Sequence, residues 1–209
     1  MVTHTEPPQV PPATPKVIYG EQFVPMPVYT SDDRKNWDLR VRGSGRPISE
    51  YIILFEQPPA APATSSWTSF SGVPMMDCLD LYGSDGSNAL SLMRYPEEQV
   101  FSFMEGTGRR EVIFVLRWPG YTGLNWVRRL PIYKGDKFAT RAELAFHICN
   151  EFRLFVEACE MGKLCTINPT WKVGGPDGIP FSRMKISSIW SPEDFVWVAS
   201  VRVVGPVTF

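Results

Sequence analysis

The chain has 209 residues, with 21 lysines and arginines against 22 aspartates and glutamates, so its formal net charge is −1. This length predicts one ordinary domain, and the near-neutral charge excludes a protein that binds polyanions over its whole surface. Hydrophobic residues make up 44% of the chain, which is enough to bury a core. The two histidines, His4 and His147, exclude a metal site that needs two or three imidazoles from one ordered domain.

The sequence shows no recognisable targeting signal. The first residues have neither the basic nor the apolar region of a secretory signal, and no apolar run approaches the roughly 20 residues that span a bilayer. The four cysteines contain no CxxC pair and predict reduced thiols. We therefore expect a cytoplasmic protein without a membrane segment, a cofactor or a metal ion.

Proline is unusually frequent, with 20 residues in the chain, and seven of them lie between residues 7 and 27. Because proline disfavours helices and central strands, residues 1–47 are predicted to form an extended or partly disordered arm. The arm also carries Val17, Ile18, Phe23 and Val24, which a pure linker does not need. We expect it to lie on the same domain or on a partner chain, and we predict a single folded domain over residues 48–209.

The first half of this domain predicts β-structure. A continuous apolar run over residues 51–55 is typical of a buried strand. Residues 100–104 and 111–118 are joined by a short glycine-containing loop, which predicts a β-hairpin. Residues 126–133 follow as a third strand, in which Pro131 removes a backbone donor and indicates a sheet edge or a bulge.

A long helix is predicted over about residues 140–160. Thr140 and Glu143 have the spacing of a capping box at its start, and Gly162 stands where a C-terminal cap belongs. One apolar stripe follows the helical period: Leu144, Ile148, Phe152, Phe155 and Cys159. Such a stripe has to be buried, and the neighbouring sheet is the expected partner.

The last part of the chain predicts a second hairpin, from residues 184–190 and 195–204 around a turn sequence. Strands lie on both sides of one helix without regular βαβ alternation. The predicted fold class is therefore α+β, with an antiparallel sheet built from at least two hairpins, packed against one long helix and preceded by the proline-rich arm.

Positive charge is concentrated between Arg109 and Arg141, where eight basic residues stand against two acidic ones. Aromatic residues are interleaved with these charges. The candidate binding residues are Trp118, Tyr121, Trp126, Arg128, Arg129 and Tyr133. The pattern is typical of a strand with one solvated and one core face, of an interface for a protein or an acidic ligand, of a sugar-stacking surface, or of a nucleic-acid platform. Nucleic acid is not expected as the partner.

No catalytic residue is predicted, because the nucleophile elbow, the zinc-protease helix and the dinucleotide fingerprint are all missing from the sequence. His147 is the one histidine in the predicted domain. Cys149 points about 200° away from it around the helix and cannot be its partner. Cys78 is the remaining thiol that His147 could activate.

A family resemblance rests on the run 117–121, on the basic strand that ends at Tyr133 and on the helix start at residues 140–145. In apolar and tryptophan spacing, residues 100–205 resemble a family of basidiomycete (mushroom) proteins with no known activity. The resemblance implies an intracellular fungal protein, and it transfers no functional residue.

These observations favour a non-enzymatic interaction module that acts by protein–protein binding, with self-association through the arm and a homo-oligomer as one form of it. An alternative is a lectin-like module that binds a small ligand or glycan with Trp118 or Trp126 as a stacking platform. A further alternative is a small hydrolase centred on His147.

Overall fold

The computed structural model describes residues 17–18, 20–25, 44–45, 47, 50–58, 72–80, 92–121, 124, 126–193 and 195–208. These residues form a mixed α+β fold with one large sheet and one long helix. The strands are β1 (Val17–Ile18), β2 (Glu21–Phe23), β3 (Ile52–Leu54), β4 (Val73–Pro74), β5 (Glu111–Leu116), β6 (Trp126–Pro131), β7 (Tyr133–Lys134), β8 (Lys137–Phe138), β9 (Met184–Glu193), β10 (Val196–Val204) and β11 (Val207–Thr208). The helices are α1 (Met75–Asp80) and α2 (Arg141–Glu160), with 3₁₀ turns at Ser102–Met104, Pro169–Trp171 and Phe181–Arg183.

The long antiparallel pair β9–β10 forms the middle of the sheet, as the second predicted hairpin required. Both β3 and β4 pair with β9 along its outer edge. On the other side, β10 pairs with β5 over one part of its length and with β2 over another. The β5–β10 pairing is parallel, so the sheet is mixed and the expectation of a purely antiparallel sheet is corrected.

The first predicted hairpin is wrong. Residues 102–104 form a 3₁₀ turn, in which the Met104 N–H donates to the carbonyl of Phe101 at 2.9 Å. Phe101 and Met104 are buried, and the Phe101 ring meets Trp197 edge-on. These tertiary contacts outweigh a short alternating pattern, because the 3₁₀ turn buries both side chains while its own backbone hydrogen bonds replace the ladder bonds of a strand. The β5 strand pairs with β6 instead.

Part of the predicted arm forms strands within the domain: β2 belongs to the large sheet, and β1 pairs with β11 in a separate two-stranded sheet. Phe23 of β2 stands opposite Arg202 of β10, Val17 of β1 stands opposite Thr208 of β11, and Val24 is buried. The described segment of the arm therefore lies on its own domain. The rest of the arm, residues 1–16 and most of 26–47, is outside the described residues.

The helix α2 begins and ends as its sequence predicts. The Thr140 hydroxyl accepts from the Glu143 N–H, and the Glu143 carboxylate accepts from the Thr140 N–H at 2.9 Å. Gly162 adopts a φ of 69° just past the end, and its N–H donates to the carbonyl of Cys159. Both helix ends are thus capped by local sequence.

The β5–β6 pair has two faces of different character. Its inner face packs on α2 and carries the buried residues Val112, Phe114, Leu116 and Leu130. Phe114 touches Phe152 of α2, with 6.3 Å between ring centroids. The outer face carries the alternate residues, among them Ile113 opposite Arg129 and Val115 opposite Val127. The core of the protein lies on the inner face.

Candidate functional site

Two of the six candidate binding residues lie in the core. Trp118 is 2% exposed, and its Nε1–H donates to the carbonyl of Trp171 at 2.7 Å. Tyr121 is buried, and its hydroxyl accepts from the N–H of Val173 at 3.1 Å. Burial raises the pKa of the Tyr121 hydroxyl above its ordinary value of 10.0. Neither ring offers a face to a ligand, so both residues act in packing.

Trp126 and Arg128 connect β6 to α2 through Glu151. The Trp126 Nε1–H donates to Glu151 Oε2 at 3.0 Å, and Arg128 Nε lies 3.1 Å from the same oxygen. The Arg128 guanidinium covers the Trp126 ring at 4.4 Å, and Phe155 meets that ring edge-on at 5.8 Å between centroids. Trp126 borders a groove of about 410 Å³ over the end of α2. Its indole N–H is already bonded to Glu151, and its ring is already covered by Arg128 and Phe155.

The other two candidates, Arg129 and Tyr133, lie together in a groove at one end of the β5–β6 pair. We call it the basic groove; its volume is about 580 Å³. The lining residues are Gly108, Arg109, Arg110, Glu111, Val112, Ile113, Arg129, Pro131 and Tyr133. Among these described residues stand three arginines and one carboxylate, so the groove is strongly positive.

A tight turn delivers two of the arginines to the groove. The Thr107 N–H donates to the carbonyl of Met104 at 3.1 Å, and the Thr107 hydroxyl accepts from the Arg109 N–H at 3.3 Å. Gly108 adopts a φ of 69°, a left-handed conformation that residues with a Cβ rarely adopt. The chain therefore enters β5 directly after the turn, and Arg109 and Arg110 lie between the turn and the strand, where they line the groove.

Aromatic rings hold these two guanidinium groups in place. Arg109 Cζ lies 3.6 Å from the ring centroid of Phe195, and Arg110 Cζ lies 4.9 Å from that of Tyr133. Arg110 Nη2 also donates to the carbonyl of Gly135 at 3.0 Å. An arginine carries five N–H donors, and this is the one guanidinium hydrogen bond that the described residues provide to the pair. Most of their donors remain available to an acceptor.

Arg129 is an accessible cation of the groove, with its side chain 80% exposed. It stands 3.5 Å from Glu111 Oε2, a carboxylate that is itself 49% exposed. An ion pair of this length and exposure contributes little free energy. An incoming carboxylate can therefore take Arg129 from Glu111 at small cost.

An apolar strip continues from the basic groove along the outer face. Ile113 and Val127 are 38% and 42% exposed, and Val115 lies between them opposite Val127. Exposed apolar residues beside a charged rim are typical of surfaces that bind proteins. The groove and the strip together form one continuous surface.

The structure separates His147 from Cys78, its remaining candidate partner. Cys78 lies beside Cys149 in the core, on the side of α2 away from His147. Burial lowers the pKa of the His147 imidazole, against the opposing charges of Glu143 and Glu151. Burial also raises the pKa of the Cys149 thiol. Neither Cys78 nor Cys149 is therefore placed for activation by His147.

The described residues contain no group of three or more His, Cys, Asp or Glu side chains arranged to hold a metal ion. Within the same part of the chain, no helix combines the length and the apolar character needed to cross a membrane. Comparison with protein-family models, with curated proteins and with solved structures finds no match to the chain. The resemblance to basidiomycete proteins stays a prediction.

Arg109, Arg110 and Ile113 were missed as site residues by reasoning from the sequence. The charge count from Arg109 onward was the available signal. That signal indicated a strand with one solvated face, and Arg109 and Arg110 themselves were placed in the turn of the predicted hairpin between residues 100–104 and 111–118, which is not formed. Phe195, which contacts Arg109, stands 86 positions further along.

Proposed function

We propose that this protein is a non-enzymatic interaction module that binds an acidic segment of a partner protein in the basic groove. The observation that carries the proposal is the convergence of Arg109, Arg110 and Arg129 on one groove whose described lining contains a single carboxylate. Arginine is suited to this task because its planar guanidinium matches a carboxylate in a bidentate geometry.

A protein partner is favoured over nucleic acid by the state of the aromatic rings. Single-stranded nucleic acid needs free ring faces on which its bases stack. In the groove, Arg109 covers the Phe195 ring, and the Tyr133 ring contacts both Arg110 and Phe138. The apolar strip at Ile113 and Val127 instead suits the alternating side chains of a polypeptide.

The two alternatives lose their structural motivation. A lectin-like site needs an open tryptophan, but Trp118 is buried and Trp126 is held by Arg128 and Glu151. A hydrolase centred on His147 needs a nucleophile beside the imidazole, and Cys78 lies against Cys149 instead. The described arm residues pair within one chain. Self-association through the arm is therefore not part of the proposal, and the binding experiment below can report it.

The test is the affinity of a fluorescent peptide of about eight residues that alternates glutamate and valine, measured by anisotropy at low salt. We expect R129E to weaken binding by about tenfold and added salt to weaken it further, since surface charges are screened. K163E, which reverses an exposed lysine near the end of α2, is the matched control and should change the affinity by less than about twofold.

Three results would contradict the proposal. The first is no binding of the acidic peptide to the wild-type protein. The second is an equal loss in R129E and K163E, which would indicate an effect of net charge alone. The third is tighter binding of single-stranded oligonucleotide than of peptide at the same salt concentration, which would assign the groove to nucleic acid. Light scattering on the free protein reports self-association in the same series.

A further inference from the structure

The strand β6 has two edges, and only one of them is paired within the described residues. It is six residues long and pairs with β5 over its whole length. No strand in the described part of the chain pairs with its other edge, which we call the free edge. The free edge runs beside the basic groove, because Arg129 and Pro131 belong to both.

Two hydrogen bonds determine which backbone groups point to the free edge. The Ile132 N–H donates to the carbonyl of Arg110 at 2.9 Å, toward β5. In an antiparallel pair the direction alternates along the strand, so Leu130 and Arg128 also point their backbone groups at β5. The Ile113 N–H, opposite Arg129, donates away from β6 to the carbonyl of Phe195, as this alternation requires.

The backbone groups of Val127, Arg129 and Pro131 therefore point outward. The Val127 carbonyl accepts from Arg128 Nη1 at 3.0 Å. The N–H groups of Val127 and Arg129 have no acceptor among the described residues. Proline has no N–H, so the free edge offers two N–H donors and the carbonyls of Arg129 and Pro131. This is the pattern to which an added strand hydrogen-bonds.

We infer that the acidic partner segment binds in extended form, as an additional strand on the free edge of β6. The inference rests on the proposed function and specifies its binding mode. An added strand alternates its side chains between the two faces of the sheet, so one set lies on the outer face. There a carboxylate pairs with Arg129, and an apolar side chain two residues away packs beside Val127.

Charge excludes a second copy of β6 as the occupant. Arg128 and Arg129 stand in the middle of the strand, so antiparallel pairing with an identical strand brings arginines opposite arginines. Like charges directly opposite each other destabilise a strand pair. Pro131 blocks one further donor at the end of the strand. The free edge therefore disfavours pairing with β6 of a second copy and favours pairing with an acidic strand.

The test compares V127P with V127A, using the same glutamate–valine peptide. Proline at 127 removes an outward N–H and leaves the pairing with β5 intact, because proline is tolerated where the N–H of an edge strand faces solvent. We expect V127P to bind about tenfold more weakly than the wild type, the loss expected of one backbone hydrogen bond. V127A keeps the N–H and should lose no more than about threefold.

A second measurement does not depend on a variant. Amide hydrogen exchange of the wild-type protein, followed with and without saturating peptide, should show new protection at Val127 and Arg129. The Arg128 amide, already bonded toward β5, should change little and serves as the internal control. Wild-type affinity in V127P, or unchanged exchange at both outward amides while the peptide is bound, would overturn strand addition. If R129E still weakens binding in that case, the basic groove stands and only the binding mode is wrong.

Discussion

The two faces of the β5–β6 pair share one backbone but differ in what holds their side chains. On the inner face, Phe114 and Trp126 are fixed by rings and a carboxylate of α2. On the outer face, Ile113 and Val127 lie open beside the basic groove. Because side chains alternate between the two faces of a strand, one residue contributes to the core and the next is exposed to a binding partner.

Arg128 and Arg129 show this difference at its sharpest. Arg128 lies on the inner face, where Glu151 lies 3.1 Å away and the Trp126 ring lies beneath its guanidinium. Arg129 lies on the outer face and has one long, exposed contact with Glu111. Two neighbouring arginines therefore have different roles. Arg128 connects the sheet to α2 through Glu151, and Arg129 is available to a partner.

The largest loss of stability should come from removing a large side chain of α2 that packs against the inner face. Phe155 is fully buried and contacts the rings of Trp118, Tyr121 and Trp126 at centroid distances of 5.3 to 6.1 Å. We expect F155A to lower the free energy of unfolding by about 3–5 kcal/mol, as for other buried phenylalanines. I113A on the outer face is the matched control and should cost about 1 kcal/mol or less. Urea unfolding of both variants measures this, and equal losses would abolish the distinction between the faces.

A smaller effect is expected from the connection between β6 and α2. E151A removes the acceptor of the Trp126 Nε1–H and the partner of Arg128 Nε, which should cost about 1–3 kcal/mol. E157A is the control on the same helix, because Glu157 pairs with Arg153 at an exposed position. That variant should cost about 0.5 kcal/mol or less. If the two variants unfold at the same urea concentration, Glu151 is not the link between the two elements.

The smallest effect is a pH dependence at the rim of the inner face. Burial lowers the pKa of His147 below its ordinary value of 6.5, so the unfolded chain binds more protons between that value and the lowered one. Stability should therefore fall as the pH drops through this window. H147Q removes the titrating group and should show a shallower fall as the pH drops below 6.5. Identical pH profiles of wild type and H147Q would contradict the assignment.

A second group titrates below this window and can be told apart from His147. Burial alone would raise the pKa of Glu143, but its bonds with Lys134 and the Thr140 N–H outweigh burial and lower the pKa below 4.5. Its stabilising contribution is present above 4.5 and is lost as the pH falls through the lowered value. E143Q thus changes the acid end of the profile and leaves the histidine window in place.

The sequence by itself determined the elements whose signals are local. The capping box of Thr140 and Glu143, the apolar stripe behind it and Gly162 after it define α2 without reference to any other part of the chain. The hairpin of β9 and β10 follows from two β-rich runs around a turn. In each case the residues that make the structure are separated by only a few positions, so periodicity and turn chemistry are sufficient.

Only the tertiary structure decided how distant segments meet. The parallel pairing of β5 with β10 joins residues more than 80 positions apart, and no local pattern specifies it. Contacts between distant segments bury Phe101 against Trp197 of β10 and Trp118 against Phe152 and Phe155 of α2, whereas the sequence placed the two residues in a strand and at a binding surface. The β5–β10 pairing also places Phe195 against Arg109, which lines the basic groove. Burial of apolar area over the whole chain selects among such pairings, and that sum is not visible in any one segment.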